Sequence, residues 1–361
     1  MKEKLPGRTN HFNLIRVLAA VGVLYSHSFA LTGHAEPLIG GRTPGFYCVA
    51  VFFSISGFLI TKSWLRLPSV TAYLRNRCLR IYPGLWLAVA FTVLVIGPWV
   101  TTLRLSDYFL SFRFWAYLVG NSSLLRVVHQ LPGVFSESPH QSANGSLWTL
   151  PYEVICYAAI LAAGVLSRKH PRRFVILIGA TLALALAVAF IAALPASARG
   201  IRMPLVVERL AQLLPYFLVG ALVTGAATRV RTFAPWLALG LAGAVALGNP
   251  GLLALTLPLT IPPLVIVLAH LPSRVFQRYN QLGDYSYGVY LYAFPIQQVV
   301  ALWMKDCQPW QNVLYSLPPT LAFAFASWHL LESRALMFAR RRAVPRPSDD
   351  SPPLPEPFFQ P

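Results

Sequence analysis

Several side chains in this sequence can do chemistry and sit where an apolar setting makes them costly to keep. Arg16 and His27 stand at the two ends of a nearly uninterrupted apolar run, NLIRVLAAVGVLYSH, residues 13–27. They are 11 residues apart. At ~100° per residue that falls ~20° short of or beyond three full turns, so both project from one helix face, roughly 16 Å apart along the axis. Asn13 shares the stripe. Ionisable groups inside a span mark functional sites, and an imidazole serves as general base for a hydroxyl or carries an acyl group itself. The alternative is an arginine snorkelling to one interface and a histidine resting at the other. Their shared face, with Asn13 on it, favours function.

Glu153 closes the segment SLWTLPYE, residues 146–153. Counted along its span it lies about two turns inside the outer end, at a depth close to that of His27. A carboxylate there needs a partner. The expectation is that Glu153 orients His27 or stabilises its imidazolium, as the third member of a triad does; a structural ion pair with an arginine is the competing assignment. Ser146 and Trp148, with Thr149, stand beside it and are suited to hydrogen-bond a sugar or stack on one. Arg77-x-x-Arg80-Ile81-Tyr82-Pro83 places two guanidiniums on one face, and arginine forks bind phosphate oxygens bidentately. From spacing alone, ordinary anchoring by positive charge is the better explanation of that pair. Ser54 and Ser56 in FFSISGFLI point to close helix packing with a polar contact across it. Asp284 is placed to cap a helix, the tyrosines at 285, 287, 290 and 292 to form an interfacial belt, and Glu332 to lie at the interface beside Arg334. Cys48, Cys78, Cys156 and Cys307 lie far apart with no metal-ligand spacing, so no metal site and no disulfide is expected.

The elements that must hold these groups are membrane helices. The chain is 361 residues long, 56% hydrophobic and only 12% charged, about half the charge of a soluble domain, and its apolar runs are repeatedly about 20 residues long. The fold class is therefore all-α: a polytopic integral membrane protein. The net charge of +18 raises nucleic-acid binding as a possibility. The basic residues, however, cluster in short loops between spans, as the positive-inside bias requires, and no nucleic-acid partner is expected. Ten spans are predicted, near 12–32, 44–62, 81–100, 147–166, 174–194, 207–227, 233–248, 252–271, 285–304 and 312–333. The apolar segment 108–125, broken by Arg113 and by Gly120-Asn121, cannot be another crossing without exporting the basic run 168–173, so it reads as a re-entrant or interfacial helix. Residues 126–146 form a polar outer loop. Both termini are expected in the cytoplasm: residues 1–11 as a short basic segment, 12–335 as the membrane domain, and 336–361 as a basic then Pro-rich, disordered tail. The first apolar run is too long for a signal-peptide core. No internal repeat supports an inverted-repeat transporter, although buried Arg, His and Glu also suit a proton-coupled transporter or flippase.

Taken in order, these blocks resemble the membrane-bound acyltransferase family 3. Arg16-x10-His27 is similar to the family's arginine–histidine signature, FFSISGFLI to its second-helix pattern, Arg77-x-x-Arg80-Ile-Tyr-Pro to its arginine pair, SLWTLPYE to its S-L-W-x-L-x-x-E block, and GDYSYGVYLYAFPI to its late G-x-x-SY-x-x-Y-L stretch. They run from about residue 10 to 335. Many relatives carry a histidine where this chain has Ala293, which concentrates the chemistry on His27. The resemblance implies an acyl-coenzyme A donor, usually acetyl, taken from the cytoplasm, with no permanently bound cofactor, and an acceptor glycan or lipid-linked glycan on the outer side of a bacterial inner membrane. It implies His27, Glu153 and Arg16 as catalytic residues, Arg77, Arg80, Tyr82 and Asn13 on the donor, and Ser146 and Trp148 on the acceptor. An acyltransferase acting on a non-glycan hydroxyl is the variant of this expectation.

Overall fold

The structure is a computed structural model, and it describes residues 10–194, 202–224, 248–271, 283–304 and 306–341, together with a few isolated positions between them. Among the described residues the chain is helical, with no β-strand. Helix α1 is Phe12–Leu31, α2 Pro44–Arg66, α3 Val70–Val100, α4 Leu105–Leu110, α5 Phe112–Ser123 and α6 Leu150–Leu166. They are followed by α7 Pro171–Ala193, α8 Leu205–Val223, α9 Pro250–Ala269, α10 Ser286–Trp303, α11 Pro309–Ser327 and α12 Ser333–Arg341. Seven of these, α1, α2, α3, α6 with its lead-in turn, α7, α8 and α9, are long and apolar enough to cross a membrane. Helices α10 and α11 have 18 and 19 residues but carry Gln297, Gln298 and Asn312 among their buried positions. The span expected near 233–248 lies largely outside the described residues, as does the tail.

Helix ends follow the local sequence. Thr43 accepts a bond from the Phe46 amide at 3.3 Å, just ahead of Pro44 in the first turn of α2. Ser69 caps α3, and Asn249 caps α9 through the Gly251 and Leu252 amides at 2.9 and 3.1 Å. The segment expected as a re-entrant or interfacial helix is α4 and α5, of 6 and 12 residues, too short to cross a bilayer.

Two packing features position the site. Helix α10 is the central element: every residue from Ser286 to Gln298 is buried, between α1, α11 and α3. Helices α2 and α8 pack closely, because Gly57 of α2 lies on the backbone of Phe217 and Gly220 of α8 lies on the backbone of Ser54. A side chain at either position would hold the helices apart, which is the physical content of the small-residue seam read from SISG.

Candidate active site

The Arg16 end of the bundle holds a cluster of charges. Arg16 of α1 and Arg80 of α3 both reach the Oδ2 of Asp284, Arg80 at 2.6 Å. Arg80 also stands 4.0 Å from Glu332, and its guanidinium lies 5.5 Å from the Tyr287 ring centroid. Asn13 donates to the Gly283 carbonyl at 3.4 Å, tying the start of α1 to the same segment. Asp284 does not stand alone as a cap. Its Oδ1 accepts from the Ser286 amide at 3.3 Å and the Ser286 hydroxyl at 2.5 Å, while its other oxygen is taken by the two arginines. Glu332 corrects the expectation of an interfacial residue beside Arg334. It is 3% exposed and accepts from the Ser327 hydroxyl at 2.7 Å, in the wider helical turn Trp328–Glu332 that follows α11. Arg77 differs from its neighbour. It lies between the Tyr73 and Tyr157 rings, 5.9 and 5.7 Å from their centroids, and its buried Nε has no hydrogen-bond partner.

These groups surround two adjoining cavities. The first is lined by Arg16, Arg77, Arg80, Glu153, Ser56 and the rings of Tyr157 and Tyr287, among others. The second shares Arg16, Glu153 and Tyr287 and is otherwise walled mainly by Val49, Phe52, Phe53, Leu150 and Tyr290. The two are stacked along α2: the first touches residues 55–60, the second 49–53. Tyr82 lines neither. It lies against Trp86, ring centroids 5.5 Å apart, and Trp86 is mostly exposed; the i+2 offset from Arg80 turns it away from the arginine face.

Glu153 corrects the expectation of a triad with His27. Its Oε1 accepts from the Ser56 hydroxyl at 3.0 Å and from the Tyr157 hydroxyl, and with Arg16 it lines both cavities. It therefore sits at the depth of Arg16, about three turns from His27. Residue counting placed it too high because it took the outer loop to end at the bundle surface. The loop instead descends alongside α10. Gln298 donates to the His140 and Ser142 carbonyls at 2.5 and 2.8 Å. Below it, Asn144 donates to the Leu291 carbonyl at 2.9 Å, and Tyr290 donates to the Ser146 carbonyl at 2.9 Å. By the time α6 begins, the chain is already half-way down α10.

His27 reaches that loop through Phe294 of α10. Its ring meets Phe294 edge to face at 5.1 Å, Phe294 meets His140 at 5.6 Å, and its Nδ1 is buried with no hydrogen-bond partner. Ser26, next to it, bonds Glu36 and receives the Gly45 amide at 2.9 Å, which fixes the His27 level at the start of α2. Burial lowers the His129 and His140 imidazoles below the ordinary histidine range, and Arg209 lowers His129 further. Ser146 is buried and its hydroxyl has no partner. Trp148 carries the Arg209 guanidinium 4.4 Å over its ring and packs on Tyr152. Ser54 bonds the Ala50 carbonyl of its own helix at 2.6 Å and serves packing; Ser56 makes the polar contact.

Sequence reading missed Tyr157, Phe294 and His140, took Tyr287, Tyr290 and Tyr292 for an interfacial belt where all three are buried, and missed Asp284 and Glu332 as partners of the arginines. Tyr157 carried a usable signal, standing four residues after Glu153 on the same helix face. The others depend on tertiary contacts that no local pattern records.

A family model described as an acyltransferase domain matches residues 10–329. The O-acetyl transferase of Shigella phage Sf6 is 30% identical over 341 residues, covering 91% of this chain and 96% of that protein. Nodulation protein 10 of Rhizobium leguminosarum bv. viciae is 30% identical over 172 residues, 44% of this chain and 45% of that protein. No solved structure matches. A match of this extent makes this chain an enzyme of the acyltransferase 3 family.

Proposed function

We propose that the protein transfers an acetyl group from cytoplasmic acetyl-coenzyme A to a hydroxyl of a cell-surface or exported polysaccharide, such as lipopolysaccharide O-antigen or exopolysaccharide, across a bacterial inner membrane. The observation that carries this reading is the line formed by α1: Arg16 in a cavity with Arg77 and Arg80 at one end, His27 roughly 16 Å further along at the other. Guanidiniums suit the phosphates of a nucleotide thioester, and an imidazole suits a hydroxyl. The name of the phage relative, an O-acetyl transferase matched over nearly its whole length, supports acetyl as the group and oxygen as the acceptor. With the basic loops inside, both termini are cytoplasmic, the arginine-lined cavity faces the donor, and His27 and the descending loop meet the acceptor.

In the reaction the hydroxyl oxygen bonds to the thioester carbonyl carbon, the C–S bond breaks, and the hydroxyl proton passes to the His27 imidazole; the thiolate leaves and is protonated on the donor side. His27 acts as that base, or accepts the acyl group first and passes it on; a burst of acyl-enzyme before turnover separates the two. Glu153 holds Arg16 electrostatically and, through Ser56 and Tyr157, fixes the boundary between the cavities. Ser146 and Trp148 lie on the acceptor's path. The test is mass spectrometry of surface glycan from cells carrying the wild-type protein or His27→Ala, alongside acetyl-coenzyme A consumption by purified protein. Loss of one acetyl-sized mass with His27→Ala is expected. No acetyl-coenzyme A consumption by the wild type in the presence of glycan would overturn the reading.

A further inference from the structure

The two members of the arginine pair on α3 have different surroundings. Arg80 and Arg16 share the Oδ2 of Asp284, and Arg80 also faces Glu332. All four groups are largely shielded, with side-chain exposures of 15%, 14%, 11% and 3% for Arg16, Arg80, Asp284 and Glu332. Asp284 is itself fixed by Ser286, and Glu332 by Ser327. Two buried cations and two buried carboxylates therefore compensate each other, and removing one member leaves an uncompensated charge. Arg77 lies outside this arrangement. Among the described residues no carboxylate stands within ion-pair distance of it, its Nε is buried without a partner, and it lines the same cavity. Among the described residues it is held by the aromatic faces of Tyr73 and Tyr157. A guanidinium that lines a cavity with no carboxylate paired to it is the group whose charge an incoming anion meets uncompensated.

We propose that Asp284 and Glu332 are positioning residues that commit Arg80 and Arg16 to the framework, and that Arg77 is the guanidinium that takes the phosphate of the donor. The division rests on the donor reading above. It gives the i, i+3 pair two tasks: Arg80 joins α3 to the start of α10 and to the end of α11, setting the depth of the cavity, while Arg77 supplies the affinity. When Asp284 is neutralised, Arg16 and Arg80 are released toward the anion, which then binds well but at a depth from which its acyl end does not reach the His27 level.

The experiment uses purified full-length protein in lipid nanodiscs, with coenzyme A as the binding probe, and compares wild type, Arg77→Gln, Arg80→Lys, Asp284→Asn, Asp284→Glu and Glu332→Gln. Arg77→Gln is expected to weaken coenzyme A binding tenfold or more without moving the thermal midpoint. Arg80→Lys is expected to lower the midpoint and change binding less. Asp284→Asn is expected to lower kcat tenfold or more while the donor KM stays at or below the wild-type value, with Asp284→Glu recovering part of kcat. A purely structural Asp284 would move the midpoint and leave kcat of the folded fraction alone, which would overturn the proposal. So would an Arg80→Lys binding defect equal to that of Arg77→Gln with no change in midpoint. If the wild type neither binds coenzyme A nor consumes its acetyl ester, the donor reading falls and the phosphate assignment of Arg77 falls with it. The coupling remains readable in the midpoints: if the midpoint loss of Arg80→Lys is no smaller in combination with Glu332→Gln, the framework assignment falls as well.

Discussion

A methyl group at Gly57 tests how the α2–α8 seam supports the site. The added carbon in Gly57→Ala would meet backbone, not a mobile side chain: the Phe217 carbonyl carbon at 2.8 Å and the Ala221 nitrogen at 3.1 Å, with the Phe217 carbonyl oxygen closer still. Comfortable carbon contacts begin near 3.5 Å, so the helices must part by roughly 1 Å. Overpacking of this kind costs about 1–3 kcal/mol. The neighbouring residue, Ser56, donates to Glu153 across 3.0 Å, and a displacement of ~1 Å takes that bond beyond hydrogen-bonding range. A hydrogen bond to a charged group contributes about 1.5–3 kcal/mol. At about 1.4 kcal/mol per factor of ten, a site that depends on this bond loses about ten- to hundredfold in kcat/KM. Thermal unfolding in nanodiscs and acetyl-coenzyme A consumption read the two effects separately. Ser56→Ala should reproduce the rate loss with little change in midpoint. Ser54→Ala should resemble wild type, because its hydroxyl bonds only the Ala50 carbonyl of its own helix. A Gly57→Ala protein with a lowered midpoint and the wild-type rate would refute the link from seam to site. One unchanged in both would refute the packing itself.

Three smaller perturbations address the remaining parts. Tyr157→Phe removes the other donor on Glu153 and should lower kcat/KM about tenfold with the fold intact; a wild-type rate would mean that the bond has no part in turnover. Arg209→Gln strips the cation from Trp148 and should raise the acceptor KM while leaving the donor KM unchanged, in initial-rate measurements with each substrate varied; a donor-side shift would move Trp148 off the acceptor path. The imidazoles of His129 and His140 are held below the ordinary range by burial, so the unfolded chain takes up their protons first as pH falls. Stability from the descending loop is then complete above a pH of about 6.5 and declines below it. His140→Gln should flatten that acid limb of the thermal midpoint, and an unchanged limb would exclude this histidine as its source.

The parts of the site that were legible in the sequence are those fixed by a single helix. Arg16 and His27 share a face of α1 by arithmetic alone, and Ser54-Ile55-Ser56-Gly57 announced a close helix contact because only small residues permit one. What a single helix cannot reveal is which element lies opposite. Asp284 read as a cap because it precedes a helix, and it does bond Ser286; that Arg16 and Arg80 converge on its other oxygen depends on α1 and α3 flanking the start of α10. Glu332 read as interfacial because Arg334 follows it, and its burial depends on a widened turn after Ser327 that no residue type signals. The arginine pair had a plain explanation in loop charge; in the fold both members line one cavity, Arg80 paired with Asp284 and Arg77 set between two tyrosine rings.

Glu153 stands out in the sequence as a carboxylate inside a span, but its depth in the bundle is not what residue counting gives. Counting from the loop presumes that the chain enters the bundle at its surface, whereas Asn144 is already bonded to the Leu291 carbonyl before α6 starts. The two depths lead to different kinetics. A carboxylate that orients His27 would, on conversion to glutamine, change the tautomer and basicity of the imidazole and so shift the pH dependence of kcat. A carboxylate that accepts from Ser56 and Tyr157 and faces Arg16 would do neither. Glu153→Gln is isosteric, but one oxygen acceptor becomes an amide donor directed at groups that also donate, and Arg16 loses a compensating charge. The expected result is a fall in kcat/KM of about ten- to hundredfold, an altered donor KM, and an unshifted pH profile. A displaced profile with an unaltered donor KM would restore the triad and mean that the Ser56 and Tyr157 contacts do not govern the reacting state.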